Sequence, residues 1–217
     1  MDYTKTIAEV LRYDGLARQN EQRLLDSTDR AGVSRAVTSA ASALLDEPGE
    51  QSDLGLARLA GLLGRIATAE AARALIEMLG STRPAAVQAA GEALTDIGDV
   101  DFDILAPAVR EVLAAPSPGE VVEDLALVLA DIDHPGAIDL VLEMLCHPSA
   151  QVVVAALEVA GELGWDRRIW DALQRLTGDH RAATVLDEDD GEVVVAISEL
   201  AAEVVDTLRA MGRTEDE

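Results

Sequence analysis

The residues best suited to chemistry in this chain are one cysteine and three histidines: Cys146, His134, His147 and His180. Thiolates and imidazoles serve as nucleophiles, general bases and zinc ligands. Here the histidines fall in predicted turns between helices, and no Walker loop, Gly-x-Ser-x-Gly or His-Glu-x-x-His motif is present. We therefore expect a protein that is not an enzyme and has no cofactor, with Cys146 as a small core residue.

An acidic run, Asp187-Glu188-Asp189-Asp190-Gly191, is the other candidate for ligand chemistry. Calcium loops need alternating oxygen ligands and a glutamate twelve positions from the first, and this run has neither. A solvated turn in which Asp190 caps the last helix is favoured over a metal site.

The composition favours a helical protein without disulfides. Apolar residues make up 49% of the 217 residues but aromatic residues only 2%, so alanine, valine, leucine and isoleucine must build the core. A single cysteine excludes an internal disulfide. The start of the chain lacks the apolar stretch of a signal peptide, and no apolar run is long enough for a membrane span. We expect a cytoplasmic protein with no membrane partner.

The net charge of −24 has three explanations, and the sequence leaves them open. The acidity fits adaptation to high intracellular salt in a halophilic archaeon, since Lys5 is the only lysine. It also fits ordinary acidity with high-GC codon usage, or a surface that attracts a basic partner. Under all three, direct binding of nucleic-acid phosphates is disfavoured, because it requires a basic face.

Two leucine series with one period predict the fold. The first series consists of similar six-residue segments, of which Ala-Leu-Ile-Glu-Met-Leu, ending at Leu79, is one example. The last leucines of these segments are spaced 34, 34, 32 and 31 residues apart, and they are Leu45, Leu79, Leu113, Leu145 and Leu176. The second interleaves with it and starts its motifs at Leu63, Leu94, Leu129 and Leu163. Two such series predict two helices per repeat, called A and B here, in an all-α solenoid.

Proline and aspartate positions agree with these helix boundaries. The prolines fall between the predicted helices except Pro107, which we expect in the first turn of an A helix. Asp99, Asp133 and Asp166 precede A helices and are predicted to cap them.

The A motif Ala-Leu-x-x-Leu-Leu, followed by a short Asp/Pro/Ser turn and a B helix closing with Leu-Gly-x-Ile, resembles HEAT repeats of the phycobilisome-lyase-like type (HEAT_PBS). The resemblance implies a right-handed α-α superhelix of the HEAT/armadillo kind, with about five helix pairs over residues 33–212. The chain lacks the arginine that such repeats carry in the first turn of the B helix. That absence predicts weaker ion pairing between repeats.

The resemblance also brings candidate activities. Deoxyhypusine hydroxylases on this scaffold use His-Glu pairs, which the chain lacks, and HEAT-like DNA glycosylases need a basic, aromatic-lined groove. A bilin-lyase-like cofactor chaperone remains an alternative.

The ends of the chain depart from the repeat. Residues 1–32 are interpreted as N-terminal capping helices, the second over Ala17–Asp26, with a docking or self-association helix as the alternative. Residues 213–217 form a polar tail, and residues 177–192 are an insertion.

In arrays of this kind the B helices line the concave, partner-binding side. The predicted surface carries many carboxylates and one tryptophan, an aromatic type that often anchors interfaces. The alternative is that these are ordinary solvated positions, with Trp165 and Trp170 packing between the last pairs. The candidate residues are Arg65, Glu92, Asp96, Glu123, Asp124, Asp131, Glu158, Glu162, Trp165, Glu199 and Glu203.

The sequence thus predicts a non-catalytic adaptor with a protein partner. A bilin-lyase-like chaperone and an acidic charge-mimic inhibitor of a basic protein are the alternatives, and the oligomeric state is left undetermined.

Overall fold

The computed structural model describes residues 15–47, 49–115, 119, 121–163, 166–187 and 191–211. A first helix, α1, covers residues 15–25. Ten helices and one hairpin follow: α2 (Arg30–Leu45), α3 (Glu50–Ile66), α4 (Ala69–Leu79), α5 (Pro84–Val100), α6 (Phe102–Leu113), α7 (Val121–Asp131), α8 (Pro135–Leu145), α9 (Ala150–Ala160), α10 (Arg167–Leu176), β1 (Ala182–Asp187), β2 (Gly191–Ala196) and α11 (Ile197–Ala210).

The helices form two layers, one of A helices and one of B helices. Each even-numbered helix from α2 to α8 packs on the next even-numbered one, and each odd-numbered helix from α3 to α9 packs on the next odd-numbered one. Pairs such as α4 with α5 also pack within a repeat. This nearest-neighbour arrangement is an all-α solenoid, as the two leucine series predicted.

The two leucine series form the core between the layers. Leu79 and Leu145 of the A series are 2% and 1% exposed, and Leu63, Leu94 and Leu129 of the B series are 0% exposed. Each buried leucine contributes about 1.5–3 kcal/mol, and it does so only because the adjacent repeat covers it.

Hydrogen bonds along the A-to-B turns join successive repeats. Arg83, the N-cap residue of α5, donates from Nη1 to the Leu44 carbonyl at 2.6 Å and to the Glu47 carbonyl at 2.9 Å. His147 Nε2 donates to the Leu113 carbonyl at 2.9 Å, and Arg181 Nη1 donates to the His147 carbonyl at 2.9 Å. These side chains supply donors to carbonyls at helix ends and turns, where regular helical partners are missing.

Ion pairs also cross the repeat boundaries on the A layer, whereas the expectation that pairing is weaker than in other repeats of this type stays a prediction. Arg73 of α4 pairs with Glu111 of α6 at 2.6 Å, and Arg110 of α6 pairs with Glu143 of α8 at 2.8 Å. Arg168 of α10 pairs with Asp139 of α8 at 2.6 Å. The missing B-helix arginine is therefore replaced by arginines on the A helices and in the turns.

The insertion after α10 contains a β-hairpin, which the sequence analysis did not predict; residues 188–190 of the acidic run, predicted as a solvated turn, lie outside the described residues. Strands β1 and β2 are antiparallel, with Ala182 opposite Ala196 and Asp187 opposite Gly191. Helix α11 begins directly after β2 with Ala196 as its N-cap residue, so Asp190 does not cap it. The three consecutive valines of β2, Gly-Glu-Val-Val-Val-Ala, favour a strand, but the acidic run before them suggested a loop.

The predicted helix starts are partly wrong. Asp166 caps α10 and accepts from the Arg168 amide at 2.7 Å, as predicted. His134 rather than Asp133 is the N-cap residue of α8. Asp99 lies within α5, where it accepts from the Asp133 amide of the next repeat. Pro107 is the sixth residue of α6, not a first-turn residue, and it is tolerated on the solvent side of the helix.

Candidate protein-interaction surface on the B helices

The central B helices carry charge of one sign. Helices α5, α7 and α9 contain seven carboxylates and no lysine, arginine or histidine. The A helices α4, α6 and α10 contain the arginines that pair with carboxylates on neighbouring A helices. The two layers thus differ in composition: the A helices contain arginines that pair with some of their carboxylates, and the central B helices contain acids without any basic residue.

A groove of about 440 Å³ runs between α5 and α7. Carboxylates form its rim, and apolar and small side chains form its floor. Its lining residues are Leu79, Val87, Gln88, Gly91, Glu92, Thr95, Asp96, Asp124, Leu127, Val128 and Asp131.

Leu127 is the apolar feature of this groove that points to solvent. It is 52% exposed, whereas Leu125 and Leu129 on the same helix are fully buried. Residues two apart on a helix face roughly opposite sides, so the spacing that buries Leu125 and Leu129 directs Leu127 outward. When Leu94 of α5 is aligned with Leu129 of α7, Glu92 corresponds to Leu127. Helix α5 therefore has a charged residue at the position where α7 has an exposed leucine.

The carboxylates of the groove lack basic partners within the described part of the chain. Glu92 accepts a hydrogen bond from Gln88 Nε2 at 3.1 Å. Asp96 and Asp131 are exposed and Asp124 is half-buried. Burial and, secondarily, the nearby Glu123 carboxylate raise the pKa of Asp124 above its ordinary value. Partial burial among like charges is unfavourable, and a cation entering the groove would relieve it.

A second acidic contact joins α7 to α9. Glu123 accepts from Gln151 Nε2 at 2.8 Å across this boundary. Burial first, and then the Glu123 charge, raise the pKa of Glu158 on α9. The acidic surface therefore continues beyond the groove onto the next repeat.

The remaining candidates lie away from the groove. Arg65 is exposed in the last turn of α3, Glu162 is exposed after α9, and Glu199 and Glu203 are exposed on α11. Trp165 lies outside the described residues. The structure thus brings Glu92, Asp96, Asp124 and Asp131 together and adds Val87 and Leu127, which sequence reasoning had assigned to no surface.

Trp170 is buried, as the alternative to a surface position predicted, but its contact with α11 lies within the last helix pair rather than between the last two pairs. Its side chain is 3% exposed, and the Arg209 guanidinium of α11 lies 5.6 Å from the ring centroid. A cation over an indole face stabilises the contact between α10 and α11.

Cys146 is exposed, so its assignment to the core is wrong. It is the C-cap residue of α8 and lies in an open cavity of about 770 Å³ with Arg175, His180 and Arg181. Arg181 is held by Asp179 and by backbone carbonyls of the preceding turn. Among the described residues, no three histidine, cysteine, aspartate or glutamate side chains are grouped to hold a metal ion.

The chain is similar in structure to designed repeat proteins of known structure. The structure resembles a designed armadillo repeat protein in complex with the peptide (KR)4, at 15% identity and a TM-score of 0.34, covering 87% of this chain and 98% of that one. It also resembles computationally designed armadillo repeat proteins for modular peptide recognition, at 15% identity and a TM-score of 0.35, with the same coverage. No protein-family model matches the chain, and no curated protein matches it.

At these TM-scores the resemblance supports no conclusion about function. The two layers of paired helices, each packed on its counterpart in the next repeat, define the class: the chain has a HEAT/armadillo-like repeat fold. In the part of the chain that the structure describes, no helix combines the length and apolar character required to cross a bilayer.

Proposed function

We propose that this protein is a non-catalytic adaptor that binds a protein partner on its B-helix face. The observation that supports the proposal most strongly is the groove between α5 and α7, where exposed Leu127 lies among carboxylates without basic partners. A single exposed leucine is ordinary on a protein surface, but Leu127 also lines a groove between two helices, where an apolar side chain and several carboxylates can contact the same partner.

The distribution of charge distinguishes this proposal from general surface acidity. Salt adaptation alone would acidify both layers and would give no reason for arginines to occur on the A helices and not on α5, α7 and α9. Acids left unpaired on one face provide attraction and orientation for a basic partner.

The dimensions of the face suit a protein partner. Five B helices packed about 8–10 Å apart form a surface roughly 40 Å long. An eleven-residue helix such as α7 is about 16 Å long. Such a surface is of the same order as the roughly 800 Å² per partner of a standard interface.

The finer assignments belong to the same proposal. We infer repeats of the HEAT_PBS type over residues 33–212, preceded by a capping segment at 1–32 and followed by a polar tail at 213–217. A halophilic source and a cytoplasmic location accord with the near absence of lysine and with the net charge of −24. The candidate surface includes Glu123, Glu158, Glu162, Trp165, Glu199, Glu203 and Arg65 in addition to the groove.

A charge-mimic inhibitor is less well supported than an adaptor. Mimicry of nucleic acid depends on phosphate-like charge and makes no use of an exposed leucine. Nothing in the described groove favours the bilin-lyase-like alternative.

Affinity capture with matched variants tests the proposal. The full chain, its Leu127→Asp variant and a Leu54→Asp variant are immobilised and exposed to lysate of the source cell, and captured proteins are identified by mass spectrometry. Leu54 is the control because it is 68% exposed on α3, outside the groove. We expect Leu127→Asp to lose specific captured proteins and Leu54→Asp to retain them. Equal capture by both variants would contradict the proposal.

A further inference from the structure

We infer that the groove between α5 and α7 binds a cationic amphipathic segment of the partner protein. One apolar side chain of this segment packs against Leu127 and Val87, and lysine or arginine side chains flanking it pair with Asp96 and Asp131. The inference rests on the proposed function and specifies the chemistry of the partner.

The apolar contact has a defined place in the groove. Leu127 is 52% exposed on one wall and Val87 is half-buried on the other. Between them α5 has Gly91 rather than a larger residue, and a Cβ atom there would already contact Val128 Cγ2 at 3.6 Å and Leu79 Cδ1 at 3.8 Å. Gly91 therefore adds no side chain of its own to the groove, and the apolar surface offered to a partner is that of Leu127 and Val87.

The charged contacts repeat along the face. Asp96 and Asp131 occupy corresponding positions, each two residues after the leading leucine of its B motif. Helices in contact lie about 8–10 Å apart, so these aspartates are separated by about one such step. No basic side chain lines the groove, and so both aspartates are available to cations from a partner.

Charge argues against other occupants of the groove. A second copy of this chain would bring another net charge of −24 to an acidic surface. Nucleic acid would bring phosphates to the same carboxylates. A basic protein segment supplies the complementary charge together with an apolar side chain.

Three synthetic peptides test the inference on the full-length protein. The first contains leucines flanked by lysines, the second replaces leucine with serine at the same charge, and the third pairs leucine with glutamate. Fluorescence anisotropy of labelled peptides gives Kd for the unmodified protein and its variants, and circular dichroism verifies that each variant is folded.

We expect the leucine–lysine peptide to bind more tightly than the other two. Leu127→Ala should weaken its binding about tenfold and leave the serine–lysine peptide unaffected. Leu54→Ala is the matched control and should not change Kd. Asp96→Asn with Asp131→Asn should weaken binding about three- to tenfold at low salt. The pair Glu77→Gln with Asp103→Asn removes two exposed carboxylates from A helices α4 and α6 and should have little effect.

Each unfavourable outcome has a distinct meaning. Equal binding of both lysine peptides, abolished at high salt, would show attraction to general acidity and would overturn the inference. Displacement of the leucine–lysine peptide by spermine or Mg²⁺ with no effect of Leu127→Ala would identify a simple cation site and would also overturn it. If no peptide binds while lysate capture still depends on Leu127, the adaptor proposal stands and the partner has different chemistry.

Discussion

Arg110 of α6 donates from Nη2 to Oε1 of Glu143 on α8 at 2.8 Å, while its Nε lies 3.0 Å from the same oxygen. This contact joins two consecutive A helices, and hydrogen bonding to Glu143 raises the pKa of Arg110. On the B layer at the same level of the solenoid, Asp131 has no such partner among the described residues. The presence of arginines on the A helices and their absence from the central B helices is the basis for assigning the B helices to binding.

Replacing Arg83 with alanine is expected to destabilise the protein by about 1–3 kcal/mol, the range for leaving buried hydrogen-bonding groups without partners. Its side chain is 15% exposed and binds the Leu44 and Glu47 carbonyls as well as Asp53. Urea denaturation followed by circular dichroism measures the loss. Arg65→Ala, at an exposed position on α3, serves as the control and should change stability by about 0.5 kcal/mol or less. Equal effects would refute the turn-bracing role of Arg83.

Gly136→Ala should destabilise the boundary between the third and fourth repeats by about 1–3 kcal/mol through overpacking. A Cβ atom at Gly136 would lie 2.6 Å from Phe102 Cε1, and the Phe102 ring is stacked on His134 with centroids 4.6 Å apart. Thermal unfolding measures the change.

The control for this substitution is Gly161→Ala. Gly161 has a right-handed helical backbone, and a Cβ atom there would have no neighbour within 4 Å among the described residues. Alanine at this site should be neutral or slightly stabilising. A Tm for Gly136→Ala at or above that of Gly161→Ala would show that the ring packing tolerates the added atom.

Glu158→Gln should stabilise the protein slightly at neutral pH, by about 0.5 kcal/mol or less as for other surface substitutions. Burial raises the folded-state pKa of Glu158 above the ordinary glutamate value of 4.5, so ionisation disfavours the folded state. The gain from the variant should therefore be complete above the folded-state pKa and should disappear below pH 4.5. Urea midpoints of both proteins across this range provide the measurement, and a gain that grows on acidification would have the wrong sign.

The binding of the leucine–lysine peptide should be partly resistant to salt. Between about 0.1 M and 1 M salt the Debye length falls from about 10 Å to about 3 Å, which weakens the contribution of the exposed aspartates. The contact with Leu127 is apolar and is not screened. We expect the effect of Asp96→Asn with Asp131→Asn to shrink at high salt and the effect of Leu127→Ala to persist. Complete loss of peptide binding at high salt would instead indicate purely electrostatic attraction.

The two-layer arrangement could be predicted because the leucine spacing reports burial directly. Leu94 and Leu129 are buried in corresponding helices of successive repeats, so their separation by one period places both in the core. The hairpin was missed because the acidic run between its strands resembled a loop, and the neighbouring β-branched residues were given too little weight.

The candidate site was predicted only in its charged part. Leu127 was not among the candidate residues, although its offset by two from both Leu125 and Leu129 indicates the opposite face. Cys146 was misplaced for a related reason: it follows the last buried residue of α8, where the chain leaves the helix and its periodicity no longer determines which side chains are buried.

Hydrogen–deuterium exchange of the full chain, with and without the leucine–lysine peptide, tests the role of the B-helix face most directly. We predict slower exchange in α5 and α7 on addition of the peptide, with α4 and α6 unchanged. Slower exchange in α4 and α6 without any in α5 and α7, or an equal effect on all four helices, would contradict the assignment of this face to partner binding.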